Sequence, residues 1–313
     1  MRSIEVDGSR LKLRFFIGSL LRVLGWTLEV LGLVGSILFA FLALCTDVID
    51  PLFILGHRIP NDISIFSGVS LFIVLPVGAY AAYFGKRMMT MSSEELLKQD
   101  TRPPVLYLRS FEDDELAAKQ VKIRLLAMAR SDVVFSGTTE EETLAKVFNR
   151  IGPCIALGRP GEKLPPLGMS RLYFADSDWK NAVEMLIKQA SLVILRAGST
   201  EGFFWEFGEV IKAVDPRKLL LLLPFNTINI TEVNQAEWMT YTRFIIEANK
   251  LLPRELPPFH VGRMMGTNLT GAIWFEADWT PHAVRLIDMG GTLTQSLNAI
   301  SKRYSGSKES TAA

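Results

Sequence analysis

The chain is poor in the residues on which several chemistries depend. Two cysteines in 313 residues, Cys45 in an apolar stretch and Cys154 at the start of an expected strand, argue against a disulfide framework or a cysteine metal cluster. Three histidines are scattered: His57 falls in an expected external loop, and His260 and His282 are remote from the acidic corner described below, so no Ser-His-Asp arrangement is in view. Charge of one sign is also missing. The balance of 34 basic and 33 acidic residues, without interleaved basic and aromatic residues, gives no reason to expect a nucleic-acid partner. There is no glycine-rich phosphate fingerprint of the Walker or dinucleotide type, no internal repeat and no low-complexity tract.

What the chain has in excess is apolar residues, 49% overall, concentrated in the first ninety positions. Leu24 to Cys45 carries one charge, Glu29, and Ser64 to Phe84 carries none. At about 1.5 Å per residue each run crosses a hydrocarbon core of about 30 Å, and neither is followed by a signal-peptide cleavage site. Two transmembrane helices are therefore expected over residues 24–90, after a basic, interfacial lead-in over 1–23. Arg2, Arg10, Lys12, Arg14 and Arg22 precede the first run, Lys86 and Arg87 follow the second, and the loop between them carries Asp47, Asp50 and Asp62 against Arg58. The positive-inside bias then places both termini in the cytoplasm of a multi-pass protein of the inner (plasma) membrane. Glu29, near the inner end of its helix, is expected to snorkel or to line a helix contact.

After a linker over 91–103, short apolar runs alternate with amphipathic segments over 104–303, the signature of a mostly parallel α/β sheet. Five strands are expected: Pro104 to Phe111, Pro153 to Gly158, Ser191 to Arg196, Lys218 to Phe225 and Gly271 to Ala277. Their near-continuous apolar character predicts helices on both faces. Thr139 and Glu142 form a capping box for a helix with Leu144, Val147, Phe148 and Ile151 inward. A second helix, capped by Asp176 or Ser177, turns Trp179, Ala182, Val183, Leu186, Ile187 and Ala190 to the core. A third, from Gly202, turns in Phe203, Phe204, Phe207, Val210, Ile211 and Val214. The stretch "KIRLLAMARSDVVFSG" and residues 226–270, the latter with a helix in "NQAEWMTYTRFIIEANKLL", read as insertions; residues 304–313 read as a disordered tail.

In an open parallel sheet, ligands bind outside the carboxyl ends of the strands where the strand order reverses. In a flavodoxin-like 2-1-3-4-5 order this point lies between the first and third strands, which end in "RSFEDD" (Arg109, Ser110, Phe111) and "RAGSTEG" (Arg196, Ser199, Thr200). Two arginines and a helix N-terminus suit a phosphate; equally, the arginines can pair with Glu112, Asp113 or Glu201 as a structural network. At about 100° per residue, Glu209 falls on the solvated face of the third helix and Glu206 on the border of its apolar stripe. Trp205 points away from that stripe, either to cover a ligand, to form a protein contact or to pack under the later insertion.

The segment "ASLVILRAGSTEGFFWEFGEVI" resembles the part of Toll/interleukin-1 receptor (TIR) domains where a strand runs into a serine-containing loop and then a tryptophan and a glutamate on a helix. "GRPGEKLPPLG", containing Arg159, resembles the loop after the second TIR strand, and "DWKNAVEMLIKQASLVIL" the helix and strand that follow. "STEGFFWEFG" is also similar to the glutamate-bearing turn of nucleoside deoxyribosyltransferases; that alignment selects Glu206, whereas the TIR spacing from tryptophan selects Glu209. The resemblance, over about 104–225, implies a nucleotide pocket and, as in some TIR domains, an NAD glycohydrolase. NAD would be a substrate; no cofactor and no metal are implied. Two alternatives stay open: a nucleotide sensor, in which Arg109, Arg196 and the "GRPGEK" loop hold phosphate without turnover, and a self-associating adaptor acting through surface loops and Trp205. Partners expected on this reading are the bilayer, a nucleotide and further copies of the chain.

Overall fold

The computed structural model describes residues 8–48, 73–109, 140–158, 168–174, 178–224, 235–257, 267, 269–289 and 291–305. It divides into a helical unit that runs to Thr90 and an α/β unit that begins at Met91.

In the helical unit, α1 (Gly8–Val48) is a continuous helix of 41 residues. Its stretch Leu13–Ile37 is long and apolar enough to cross a membrane, and among the described residues it is the one helix that is. One candidate span, not the expected two, is thus found among the described residues, and it lies closer to the N-terminus than the expected Leu24 to Cys45. The second helix, α2 (Leu75–Met88), has 14 residues, about 21 Å at 1.5 Å each; the earlier part of the expected second span and the loop before it, with His57, lie outside the described residues. The two helices run antiparallel along a glycine seam. Gly18, Gly25 and Gly32, spaced by seven, are buried against α2, where Gly78 and Gly85 repeat the spacing. A Cβ on Gly25 would collide with the backbone of Gly78 and Ala82, and one on Gly85 with that of Gly18 and Arg22. Such close backbone approach yields dispersion contacts that need no hydrophobic effect. The outer surface is apolar: Phe16, Trp26, Leu31, Ile37 and Tyr80 are all exposed.

The α/β unit starts with α3 (Ser93–Gln99), opened by a capping box in which the Ser92 hydroxyl accepts from the Glu95 amide and the Glu95 carboxylate accepts from that of Ser92. Leu96 and Leu97 pack onto the core. Arg102 grips both Asp100 carboxylate oxygens and donates to the carbonyls of Asn149 and Arg150. The segment expected as a linker is thus partly helical and tied to the sheet.

The sheet has seven strands in the order β3-β2-β1-β4-β5-β6-β7: β1 (Val105–Leu108), β2 (Cys154–Gly158), β3 (Ser170–Tyr173), β4 (Leu192–Arg196), β5 (Leu219–Leu223), β6 (Gly271–Phe275) and β7 (Pro281–Arg285). The five expected strands keep the expected order, as β2-β1-β4-β5-β6. Two corrections follow. Edge strands β3 and β7 extend the sheet to seven. The sheet is also mixed rather than parallel, because β6 pairs antiparallel with β5 and β7 antiparallel with β6. The β6–β7 connection is a short hairpin with Trp279 at φ 65°, and a connection so short permits only the antiparallel arrangement.

One face of the sheet is covered by α5 (Trp179–Gln189), α6 (Glu201–Ala213) and α7 (Gln235–Leu251); Leu106, Leu108, Val193 and Leu195 there meet Val183, Leu186, Phe203, Phe207, Val210 and Phe244. The other is covered by α4 (Glu140–Phe148), α8 (Leu286–Met289) and α9 (Leu293–Ser305); Val105, Tyr107, Leu192 and Ile194 there meet Leu144, Phe148, Leu286, Leu297 and Ile300. The apolar stripes expected for α4 and α5 are those buried, except that Trp179 is half-buried. Helix α7, expected inside an insertion, contributes Phe244 and Ala248 to the core. Thr139, Asp176 and Ser177, expected as caps, lie outside the described residues, as do "KIRLLAMARSDVVFSG", the middle of "GRPGEKLPPLG", His260 and all of the tail after Ser305.

Candidate functional site

The candidate residues separate onto the two faces of the sheet. Arg109 follows β1 by one residue and Arg196 ends β4, both at the carboxyl edge, where the order reverses. They share alternation with Tyr107 and Ile194, which places them on the α4 face. There Arg109 pairs with Glu141 at 2.6 Å, and Arg196 pairs with Glu140. Arg171, on β3, is fully buried and bridges to both Glu141 oxygens at 3.3 Å, while the Thr267 hydroxyl donates to Glu140 at 2.9 Å. Among the described residues the acids are the first two of α4, where they also complement the helix dipole, and not the expected Glu201; Glu112 and Asp113 lie outside the described residues. Gly168, at φ 137°, lets the chain pass against Glu141: a Cβ there would collide with that of the glutamate. The Tyr107 hydroxyl is buried beside this network without a hydrogen-bond partner among the described residues, and burial pushes it above the ordinary phenol range.

The α6 face holds the other candidate. Helix α6 begins where β4 ends; its N-cap Thr200 accepts from the Phe203 amide at 3.2 Å, so this hydroxyl is a helix cap, and Ser199 is half-buried beside it. Phe203, Glu206, Phe207 and Val210 form the buried stripe. Glu206 is thus inside the stripe and not on its border, and it is 4% exposed. No ion pair or hydrogen bond reaches its Oε2 among the described residues. Burial raises its pKa from 4.5 to about 8, so at neutral pH the free protein holds it mostly protonated. Glu209, three residues on, is paired with Lys212 at 2.8 Å toward solvent.

Trp205 packs against Trp179, the first residue of α5, with ring centroids 4.9 Å apart, and Lys180 lies 5.1 Å over its ring. The Trp179 indole N–H is buried with no partner among the described residues. Both tryptophans are half-buried and both helices start at the carboxyl edge, so the aromatic pair and Glu206 share that end of the molecule.

Glu206 and Arg109 therefore do not face one pocket: the sheet lies between their helices, and the arginines are engaged by α4. Ser110, Phe111 and Arg159 lie outside the described residues. Sequence reasoning missed Arg171 and Trp179 as members of these clusters; the first carried no signal, whereas the second was visible only as a core position. Among the described residues, no group of three or more His, Cys, Asp or Glu is placed to hold a metal ion. No protein-family model, curated protein or solved structure matches the chain.

Proposed function

We propose that the chain is a membrane-anchored protein whose cytoplasmic, TIR-like α/β domain binds a nucleotide at the carboxyl edge of the sheet and cleaves the N-glycosidic bond of NAD with Glu206. The observation that carries this reading is the Glu206 carboxyl, buried, with its Oε2 without a partner among the described residues. Buried polar groups are nearly always satisfied, and one left unsatisfied beside a ligand-binding edge is a mark of function. The pyridinium of NAD is a cationic leaving group. As the C1′–N bond breaks, its electron pair departs with neutral nicotinamide, and positive charge develops on the ribose. A carboxylate in a dry site stabilises or captures that carbon without help from a general acid, and water completes the hydrolysis, releasing one proton. The ionised form is the active one, so turnover rises with pH toward about 8, and the substrate's own positive charge favours ionisation. Trp179 and Trp205 offer aromatic faces at the same edge.

The test is nicotinamide release by the full chain reconstituted in lipid. Turnover lost in Glu206→Gln and kept in Glu209→Gln is the expected result; turnover unchanged in Glu206→Gln overturns the assignment.

A second reading is a non-catalytic sensor or adaptor, and the pairing of Arg109 and Arg196 with Glu140 and Glu141 favours it, since phosphate has to compete with those carboxylates. On this reading nucleotide binding, or self-association into homo-oligomers alone, occurs without nicotinamide release. Calorimetry with NAD and light scattering of the same preparations separate the two.

The membrane reading extends to two spans with both termini in the cytoplasm. It is supported by the glycine seam, which pairs α1 with α2, and by the apolar outer surface. Labelling of single cysteines placed at 50 and at 310 from each side of sealed vesicles checks it: position 50 reacts from outside and position 310 from inside.

A further inference from the structure

We propose that the paired helices select anionic phospholipid headgroups at the end where Arg14, Arg22, Lys86 and Arg87 converge. The inference rests on the membrane reading above and adds the class of lipid. The glycine seam sets the register: Gly18 lies against Gly85, and Gly25 against Gly78. Arg14 and Arg22 stand four residues to either side of Gly18, about 6 Å along the axis, and Lys86 and Arg87 follow Gly85 directly. Four cations from two helices therefore gather around one crossing.

Their side chains are placed for an interface. Arg22 is exposed, and Arg14, Lys86 and Arg87 are half-buried. Arg14 donates to the carbonyl of Thr90 at 3.4 Å, tying the end of α2 to α1. The Arg87 guanidinium lies 5.8 Å from the Tyr83 ring centroid, an amphipathic pairing suited to headgroup depth. Against these four, Glu29 is the one acid with a described side chain in the unit; it lies about two turns away, beside Gly78, within electrostatic reach of Lys86. The opposite end has a different character: Ile37, Phe41 and Ile73 are exposed, and the last turn of α1 contains no basic residue. A collar of this kind attracts anionic headgroups through charge, with a range limited by the Debye length. Zwitterionic headgroups offer no net charge to it.

The experiment uses Trp26, exposed on α1 one turn from Arg22. The full chain is reconstituted in vesicles of phosphatidylcholine with phosphatidylglycerol at one fixed composition, with brominated acyl chains on either one lipid or the other. Tryptophan quenching is read against a Trp26→Phe variant, which removes the signal of interest and leaves that of the other tryptophans. The expected result is a several-fold stronger apparent association of brominated phosphatidylglycerol. That preference falls toward parity in Arg22→Gln/Lys86→Gln/Arg87→Gln and in high salt, and it persists in Arg22→Lys/Arg87→Lys. Equal quenching by both lipids in the wild type, or a preference unchanged in the triple glutamine variant, overturns the proposal while leaving insertion intact. Absence of any Trp26-dependent quenching overturns the membrane reading and the proposal together.

Discussion

The two faces of the sheet treat buried charge in opposite ways at the same edge. On the α4 face, buried Arg171 and Glu141 and half-buried Arg109, Arg196 and Glu140 form one cluster, and every one of these groups has an ionic partner. On the α6 face, Glu206 is about as deeply buried as Arg171 and has none among the described residues. Removing an ion from water costs several kcal/mol unless a partner compensates. The first face meets that cost with opposite charge; the second meets it by holding a proton.

The largest expected effect lies in the paired network. Glu141→Ala removes the carboxylate shared by half-buried Arg109 and buried Arg171, and a loss of about 3–5 kcal/mol is expected in urea unfolding of the full chain. A loss below 1 kcal/mol would mean that the network is solvated and the contrast between the faces false.

Next comes Glu206→Gln, whose effect depends on pH. The native carboxyl keeps its proton up to about pH 8, whereas the unfolded one releases it near 4.5. Below the unfolded value both states are protonated and the native state has its full advantage. As pH rises toward 8, the unfolded state alone ionises, and wild-type stability falls by about 1.4 kcal/mol per pH unit. The glutamine variant lacks this slope, so its stability relative to wild type improves as pH rises; parallel profiles from pH 5 to 8 would contradict the assignment.

Thr200→Ala removes the cap of α6 and costs about 1 kcal/mol, and the proposed nicotinamide release then follows the change in folded fraction. A selective loss of turnover at full stability would make Thr200 a ligand contact instead. The smallest effect belongs to Glu209→Ala: its pair with Lys212 is exposed on the lysine side and contributes about 0.5 kcal/mol or less.

Much of this arrangement is legible in the sequence, for reasons that also explain what is not. The central strands are runs such as "LLLLL" in β5, buried on both faces, and such runs announce themselves. Edge strands β3, "SRLY", and β7, "PHAVR", carry polar residues or proline and have a neighbour on one side only, so no apolar run marks them. Glu206 was recognised as a candidate on its helix, but its depth was not: with Phe203, Phe207 and Val210 inward, the angular position of residue 206 decides between rim and core by less than one residue's rotation. The pairing of Arg109 and Arg196 with α4 was also out of reach, because Glu140 and Glu141 already had a local explanation as acids in a first helical turn. Likewise the seven-residue spacing of Gly18, Gly25 and Gly32 is plain in the sequence, yet it acquires meaning only when Gly78 and Gly85 answer it.

The most direct measurement is an infrared titration of Glu206, taken as the difference between the full wild-type chain and Glu206→Gln across pH 5 to 10. The account predicts a protonated-carboxyl band in the wild type that persists at neutral pH, disappears with a midpoint near 8 and is absent from the variant. A Glu206 already ionised at pH 6 would contradict it, since a carboxylate at that pH requires a cation or hydrogen-bond donor that makes this face no different from the other.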